Sequence, residues 1–236
     1  TSPRQTLKNV VFESNFCPAI HNLSDYVSCD SITVTSQSSG NATIILSGSH
    51  SSISHAAIRF NSVKGVILSN GATISSSYIQ NNQDVGITAS KRSKIVNCLI
   101  TNNNNYGIVS DSSYIVNTTV AANGGITFAT GSGIYSHNDS IYNNIIWGNK
   151  NQTGYSQIEF YNSSDTCVHY CDIQDGMKGV ENFSLYATAF GLYDPHYPVF
   201  VSPTSTVGAG TEEGNWLQLL CAHKINNGSL SAIPHC

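Results

Sequence analysis

Carboxylates are the first residues to consider for chemistry, because general acid–base catalysis and cation binding both need acidic side chains held close together. The chain has nine Asp and five Glu residues and no Asp-Asp pair. Its one adjacent acidic pair, Glu212-Glu213, stands between Gly210 and Gly214, which indicates a loop. We therefore expect no catalytic residues in this chain.

Cysteine and histidine are the residues that could bind a soft metal. The seven cysteines show no C-x-x-C motif, and the histidines beside them lack the spacing of a metal-binding finger. The sequence therefore predicts neither zinc nor any other cofactor. Disulfides formed in an oxidising compartment explain the cysteines better.

The overall composition excludes several classes of partner. Charged residues make up only 10% of the chain and the net charge is −4, so a nucleic acid or an anionic membrane would find no basic surface. No stretch reaches the roughly 18 consecutive apolar residues of a membrane span. The polar residues are mainly Asn, Ser and Thr, which favour strands and turns over helix interiors.

A repeat of about 21 residues organises the chain. Ile74, Ile79 and Asn82 recur as Ile95, Ile100 and Asn103, and each copy is followed by a Gly-Ile pair. The template is an apolar residue, a second apolar residue five positions later, and Asn three positions after that. Six copies carry the Asn, at Asn15, Asn61, Asn82, Asn103, Asn123 and Asn149.

Such a repeat predicts a parallel β-helix, in which each coil of short strands stacks on the next about 4.8 Å away. Equivalent apolar positions then form continuous aliphatic columns, and β-branched residues suit the strands. We predict two columns: Ile53, Ile74, Ile95, Ile115, Ile141 and Val168 in the first, and Ile58, Ile79, Ile100, Val120, Ile146 and Ile173 in the second.

The recurring asparagines are predicted to be structural. A sharp corner between strands needs a residue that tolerates the left-handed conformation, and Asn and Gly do so at least cost. Gly176 occupies the same position in the last copy. Stacked Asn side chains can also donate hydrogen bonds to neighbouring rungs.

The segment Ile141-Tyr142-Asn143-Asn144-Ile145-Ile146-Trp147-Gly148-Asn149 and its repeats resemble the right-handed parallel β-helix proteins, the superfamily that includes pectate lyases. The resemblance covers roughly residues 5–176. It implies an all-β solenoid over 1–176, with an irregular cysteine-bearing insertion at about 16–31. Residues 177–236, rich in Tyr and Phe, are expected to form an irregular cap on the last rung.

The superfamily contains enzymes as well as inert scaffolds. Its lyases and hydrolases need carboxylates that meet on one face. Asp84, Asp111 and Asp139 fall in different parts of their rungs, which favours the non-catalytic surface type of β-helix.

The cysteines suggest a framework of disulfides around one free thiol. We expect Cys17 to pair with Cys29, and Cys98, which has no adjacent partner, to be free. Cys167 and Cys171 are expected to reach Cys221 and Cys236 of the cap. If their strand bends, the pairs Cys167–Cys171 and Cys221–Cys236 are the alternative.

Eight N-x-S/T sequons could carry glycans if the source glycosylates its proteins. The best candidates are Asn41 and Asn151, and the weakest is Asn117, which is expected inside a strand. The remaining candidates are Asn22, Asn138, Asn162, Asn182 and Asn227.

These patterns predict an extracellular or cell-surface β-helix with a structural or adhesive role. The first rung begins at Leu7 without a capping helix, so an open N-terminal end would invite self-association, or contact with other extracellular proteins, in a fibre or surface assembly. The alternative is a protein that binds or degrades polysaccharide, since exposed Tyr and Trp on a flat face could stack on sugars.

Overall fold

The structure is a computed structural model that describes residues 4–16, 18–125, 133–161 and 166–174, together with the strand backbone of 180–181 and 188–190. These residues form a parallel solenoid of about seven turns, which confirms the predicted all-β parallel β-helix. Every pairing between rungs is parallel, and the one antiparallel pair among the described strands is a two-residue hairpin, β19 (Lys150–Asn151) with β20 (Gly154–Tyr155).

Three strand columns run along the solenoid. Two belong to one sheet and are spanned together by the long first strands, β1 (Gln5–Glu13) and β3 (Val27–Thr35). Column one contains β5 (Ser52–Ser54), β8 (Thr73–Ser75), β11 (Lys94–Val96), β14 (Tyr114–Val116), β17 (Ser140–Tyr142), β22 (Cys167–His169) and β25 (Thr188–Phe190). Column two contains β6 (Ala57–Arg59), β9 (Tyr78–Gln80), β12 (Leu99–Thr101), β15 (Thr119–Ala121), β18 (Ile145–Trp147) and β23 (Asp172–Ile173).

Column three is a separate sheet that closes each rung. Its members are β2 (Ile20–Asn22), β4 (Ala42–Leu46), β7 (Lys64–Leu68), β10 (Ile87–Ser90), β13 (Ile108–Asp111), β16 (Ile134–His137), β21 (Ile158–Phe160) and β24 (Val180–Glu181). Alternate residues of each strand point into the solenoid, so Ile87, Ile108, Ile134 and Ile158 stack as a third buried column beside the two that the repeat predicts. The described residues contain no helix that could cross a bilayer.

The predicted insertion at 16–31 is wrong, because this segment contributes strands to two rungs. Ile20–Asn22 forms β2, and β3 begins at Val27. In the register of β1 with β3, Leu7 pairs with Cys29 and Phe12 with Val34. The second rung therefore follows the template with Cys29 in place of the first apolar residue and Gln37 in place of the Asn.

The solenoid also continues past the predicted boundary at residue 176. Backbone strands at 180–181 and 188–190 extend column three and column one by a further parallel pairing each. A strand ladder is propagated by backbone groups, so it can continue where the side-chain template fades. The predicted cap lies outside the described residues apart from these two strands.

The asparagines form a hydrogen-bonded ladder inside the solenoid. The amide of Asn82 donates to Oδ1 of Asn103 at 2.9 Å and to the carbonyl of Ile58 at 3.2 Å. Its own Oδ1 accepts from the side chain and backbone of Asn61. Gln37 donates its backbone N–H to the first Asn, and Gln157 accepts from the last, so the ladder contains Gln37, Asn61, Asn82, Asn103, Asn123, Asn149 and Gln157.

The prediction that these asparagines are left-handed is wrong by one residue. Positive φ angles belong to the residue before each ladder Asn, such as Phe60 at 58°, Asn81 at 55° and Ala122 at 53°. The turn thus directs the side-chain amide of the following Asn into the core. There its two N–H donors and the two lone pairs of its oxygen can form hydrogen bonds with other buried polar groups. Asn15 is not in the ladder: its backbone carbonyl accepts from the N–H of Ser38, and Gly176 lies outside the described residues.

The glycines before column three are required by close packing. A Cβ on Gly86 would lie 2.6 Å from the carbonyl oxygen of Gly107 and 2.8 Å from Nδ2 of Asn103. The next rung repeats this crowding at Gly107, whose added Cβ would lie 2.7 Å from Nδ2 of Asn123. The Gly-Ile pair of the repeat therefore leaves room for the Asn ladder.

Candidate functional site

Four aromatic rings gather on the outward side of column three, over its last three fully described rungs. We call the group Tyr106, Tyr135, His137 and Tyr161 the aromatic strip. The ring centroids of Tyr106 and Tyr135 are 5.4 Å apart, and Tyr135 lies 6.0 Å from Tyr161 in an edge-to-face contact. His137 is 5.2 Å from Tyr161 at an interplanar angle of 79°. Such contacts fix the orientation of each ring.

The register of column three explains how the strip forms. Tyr135 pairs with Val109 of the rung before and with Glu159 of the rung after, and all three positions alternate outward between buried neighbours. His137 pairs with Asp111. Tyr161 follows the last residue of β21, so the strip is assembled by stacking and not by any fixed spacing along the chain.

Two carboxylates border the rings and anchor them. Oε2 of Glu159 accepts a hydrogen bond from the Tyr106 hydroxyl at 2.8 Å, across the rung that carries Tyr135. Oδ1 of Asp111 lies 3.0 Å from Nδ1 of His137 and also accepts from the Ser112 hydroxyl. Burial, with smaller contributions from the charges of Glu159 and Tyr161, raises the pKa of Tyr135 above its usual value.

The strip is accessible from solvent. Tyr161 is 48% exposed and Asp111 is exposed, while the remaining rings and Glu159 are half-buried. The strip therefore offers ring surfaces and hydrogen-bonding oxygens together on one side of the solenoid. Tyr170 is also exposed, whereas Phe160, directly before Tyr161, is buried in the core.

A smaller aromatic pair lies on column one. Tyr142 and His169 stack at 5.1 Å with nearly parallel rings, in register across adjacent rungs, and Tyr170 follows at the next corner. With Tyr142 and His169 packed face to face, each covers one ring surface of the other. This pair offers less free ring surface than the aromatic strip.

Among the acidic residues singled out from the sequence, Asp139 lies inside the solenoid. Its carboxylate accepts from the Ser110 and Ser136 hydroxyls at 2.5 and 2.6 Å and from the backbone N–H of Ser113 at 2.8 Å. Burial raises its pKa in spite of these donors. Asp84 lies elsewhere, bonded to Asn105 and to the backbone N–H of Val85, and Glu212-Glu213 falls outside the described residues.

Another carboxylate, Asp30, forms a polar cluster near the first rungs. It contacts His55 at 2.8 Å, the Ser54 hydroxyl at 2.8 Å and Lys8 at 3.3 Å. The hydrogen bond with His55, followed by that with Ser54, holds the pKa of Asp30 well below its usual range. These contacts join neighbouring rungs, so the cluster has a structural role at the surface of the solenoid.

The thiols described by the structure do not form the predicted disulfides. Cys29, Cys98 and Cys171 are free and buried, with inward positions in the rungs. Cys29 therefore makes no bond to Cys17, nor Cys171 to Cys167 or the C-terminal cysteines, because each side chain is enclosed by the core. Cys17, Cys221 and Cys236 lie outside the described residues. Burial raises the pKa of Cys98 and of Cys171 to about 12.

The sequons differ in their access to solvent. Asn41 is exposed, as predicted for the best candidates, and Asn22 closes a short turn by accepting from the Ser24 N–H. Asn151 is only 7% exposed, and its Oδ1 accepts from the Thr153 hydroxyl, which argues against the second candidate. Asn117 is not inside a strand but at an exposed corner with φ of 52°.

Asn138 lies at another exposed corner, where its side chain meets His137. Asn162, Asn182 and Asn227 lie outside the described residues. Glycosylation at any of the eight sites stays a prediction.

The profile of a family described as the periplasmic copper-binding protein NosD matches residues 9–183, which is most of the chain. The chain belongs to the NosD family. This is a family of right-handed β-helices, so the fold inferred from the repeat is confirmed at the level of handedness as well. A periplasmic family agrees with the predicted location only coarsely, as a place outside the cytoplasm.

Individual known proteins resemble this chain weakly or not at all. No curated protein matches the chain. Two trypsin-treated structures of QnrB1, described as a plasmid-mediated fluoroquinolone resistance protein, are similar at TM-scores of 0.33 and 0.32 and at 10% and 12% identity. They cover 78% and 79% of this chain and 91% and 90% of their own. At these TM-scores, no property of QnrB1 is transferred to this chain.

Because the family is described as copper-binding, the described residues should contain suitable copper ligands if they form a copper site. Copper ions prefer thiolate, thioether and imidazole ligands. No group of three His, Cys, Asp or Glu side chains within the described ranges is arranged to hold an ion. Cys98 and Cys171 are protonated in the core, and His137 is engaged by Asp111. This donor set does not fit a copper centre.

Proposed function

We propose that this protein is a periplasmic or cell-surface β-helix that binds polysaccharide along its aromatic strip and does not cleave it. The observation that carries the proposal is the arrangement of Tyr106, Tyr135, His137 and Tyr161 across three consecutive rungs on one outward face. This activity would suit an adhesive role, because the rest of the solenoid would serve as a rigid support.

The chemistry of the strip matches that of a sugar chain. A pyranose ring presents C–H groups on its faces, which pack on tyrosine rings, and hydroxyls at its edge, which need hydrogen-bonding partners. Asp111 and Glu159 stand beside the rings as acceptors for those hydroxyls. The rings are held by contacts with one another, so little side-chain freedom would be lost on binding.

The same carboxylates favour uncharged sugars. Asp111 and Glu159 place negative charge at the strip, beside the rings of His137 and Tyr106. A chain of uronates would therefore be repelled, whereas neutral hexoses would meet hydrogen-bond acceptors. Neutral glycans are accordingly the expected substrate class for binding.

Binding fits the strip better than hydrolysis does. A glycosidase needs an accessible carboxyl whose pKa is raised so that it can donate a proton to the leaving oxygen. Asp139 has a raised pKa, but its carboxylate is enclosed by Ser110, Ser113 and Ser136 in the core. Asp111 is exposed, but its Oδ1 already accepts from the Ser112 hydroxyl and lies 3.0 Å from Nδ1 of His137.

Affinity electrophoresis tests the proposal. The full chain should be retarded in native gels that contain neutral polysaccharides, such as β-glucans, xylans or mannans, and not in gels that contain polygalacturonate. Tyr161→Ala should abolish the retardation, while Tyr114→Ala, at an exposed tyrosine on column one, should leave it unchanged. Equal mobility of the wild-type chain with and without every neutral polysaccharide would overturn the proposal.

Self-association through the first rung is a second proposal. Val11 and Phe16 expose apolar side chains there, at 66% and 81%, beside the edge of β1 that has no strand partner among the described residues. Sedimentation velocity should show larger species as concentration rises, and Val11→Lys with Phe16→Ser should remove them. A wild-type chain that stays monomeric at all concentrations would contradict it.

A further inference from the structure

A row of uncharged side chains runs along the outward side of column three and leads into the aromatic strip. Each member lies half-buried between two buried residues of its strand, so its side chain points outward. The members pair in register from rung to rung, and we call them the central row: Ile45, Ile67, Thr88 and Val109. The next partner in the same register is Tyr135 of the strip. The central row and the strip therefore form one continuous surface.

A row of hydroxyls lies beside the central row. Each of its members stands two residues after a member of the central row and is half-buried, and we call them the serine row: Ser47, Ser69 and Ser90. This row also leads into the strip, because Ser90 pairs with Asp111 and Asp111 with His137. Neither row contains a charged residue before Asp111, since Lys64 and Lys91 stand at the ends of their strands, outside both rows.

The surface formed by the two rows and the strip is longest along the solenoid axis. Rungs repeat about every 4.8 Å, so the six rungs from Ile45 to Glu159 span about 24 Å. The strands of column three on these rungs are at most five residues long, so a ligand laid along one strand would reach a corner after about 15 Å. A long ligand keeps its contact with this face only when it lies along the axis.

We propose that an unbranched, neutral glycan of about six residues or more lies along column three, with one part on the aromatic strip and the rest on the central and serine rows. The inference rests on the proposed function of the strip and narrows its ligand to a long, extended chain. A pyranose residue in an extended chain is about as long as one rung. The aliphatic groups of the central row therefore meet successive sugar faces, and the serine hydroxyls donate to and accept from the hydroxyls at the sugar edges.

The absence of charge from the two rows agrees with a neutral chain, because an anionic sugar would find no cation in either row to pair with. The strip supplies the aromatic surfaces that anchor the chain, and the rows add contact area along it. Affinity should consequently grow with the length of the glycan until all six rungs are occupied.

Oligosaccharides of increasing length test the inference. They are prepared from a neutral polysaccharide that retards the wild-type chain, and calorimetric titration gives the affinity of each, from the disaccharide to the octasaccharide. Affinity should rise at least ten-fold between the trisaccharide, which fits on the strip alone, and the hexasaccharide, and should then level off. Equal affinity at these two lengths would overturn the inference and leave the proposed function of the strip intact. No binding at any length would contradict both.

A pair of substitutions locates the additional contacts. Ile45→Lys with Ile67→Glu places an ion pair on two adjacent rungs of the central row. It should lower the affinity for the hexasaccharide to that for the trisaccharide and leave the trisaccharide affinity unchanged. The control, Ser52→Lys with Thr73→Glu, places the same pair on column one of the same two rungs and should change neither affinity. Both variants should keep the circular dichroism spectrum of the wild type.

Two results with these variants would overturn the inference. One is an equal loss of hexasaccharide affinity in the central-row variant and in its control. The other is an unchanged hexasaccharide affinity in the central-row variant; if its sedimentation then differs from that of the wild type, the rows contact a second copy of this chain instead. The length series in the wild type does not depend on the folding of either variant.

Discussion

Nδ2 of Asn82 donates to Oδ1 of Asn103 at 2.9 Å, and the same bond recurs from each ladder Asn to the next. Each of these amides also donates to a carbonyl oxygen of the preceding rung. The ladder thus satisfies the buried polar groups at one corner of every rung. Neighbouring rungs are consequently linked by side chains as well as by strand pairing.

Asn103→Ala should be strongly destabilising. It removes the acceptor of the Asn82 backbone N–H, the acceptor of one Asn82 side-chain N–H and the donor to the carbonyl of Ile79, and each such loss in the core costs about 1–3 kcal/mol. We expect the free energy of unfolding in urea to fall by about 3 kcal/mol or more. The control is Asn104→Ala, which removes only a surface bond to Gln83 and should cost less than about 1 kcal/mol. Equal losses for the two variants would contradict a structural role of the ladder.

The repeat could be predicted from sequence because stacking places equivalent residues above one another at a nearly constant period. Ile74 pairs with Ile95 and Ile79 with Ile100, as the 21-residue spacing requires. The second rung was missed because Cys29 and Gln37 replace the template's apolar residue and its Asn. Cys29 preserves the burial, and Gln37 preserves the hydrogen bonding, of the residue that each replaces. A repeat defined by residue type does not detect such replacements.

The aromatic strip could not be predicted in the same way. Tyr135 stands 26 residues after its register partner Val109, whereas Val109 stands 21 after Thr88. The extra residues between β15 and β16 shift the period between the rung that carries Tyr106 and the rung that carries Tyr135. Only the strand register brings Tyr106, Tyr135 and Tyr161 together. Because the spacing between equivalent residues of these rungs is not constant, the sequence does not reveal that register.

The stability of the solenoid should depend on the ionisation of Asp139. Its pKa is raised in the folded protein above the unfolded value of 3.8, so the native state takes up a proton first as pH falls. Between those two pKa values the folded state gains stability on acidification, by about 1.4 kcal/mol for each unit that separates them. The Asp139→Asn variant has no carboxyl group at this position, so it lacks this contribution to the pH dependence of the free energy of unfolding.

Urea unfolding of the wild type and of Asp139→Asn at pH 7 and pH 4 measures this linkage. All other titrating groups are shared, so they cancel in the difference between the two proteins. The wild type should gain stability relative to the variant at pH 4. A difference that stays constant, or that moves in the opposite direction, would show that the pKa of Asp139 is not raised.

The thiols of Cys98 and Cys171 should be inert in the folded chain. Both are buried, and burial raises their pKa to about 12, so almost no thiolate is present near neutral pH. Iodoacetamide at pH 8 should leave both peptides unlabelled in buffer and label both in urea, as read by mass spectrometry. Rapid labelling of either peptide in buffer would show that its rung opens or that the thiol is not enclosed.

The most direct test of the account is calorimetric titration of a neutral polysaccharide that retards the wild-type chain. The wild type should bind measurably. Tyr135→Ala with Tyr161→Ala should weaken binding at least ten-fold, which corresponds to about 1.4 kcal/mol, with an unchanged circular dichroism spectrum. Tyr114→Ala should bind as the wild type does. Equal affinity in the wild type and the double variant would contradict the assignment of the aromatic strip as the site of binding.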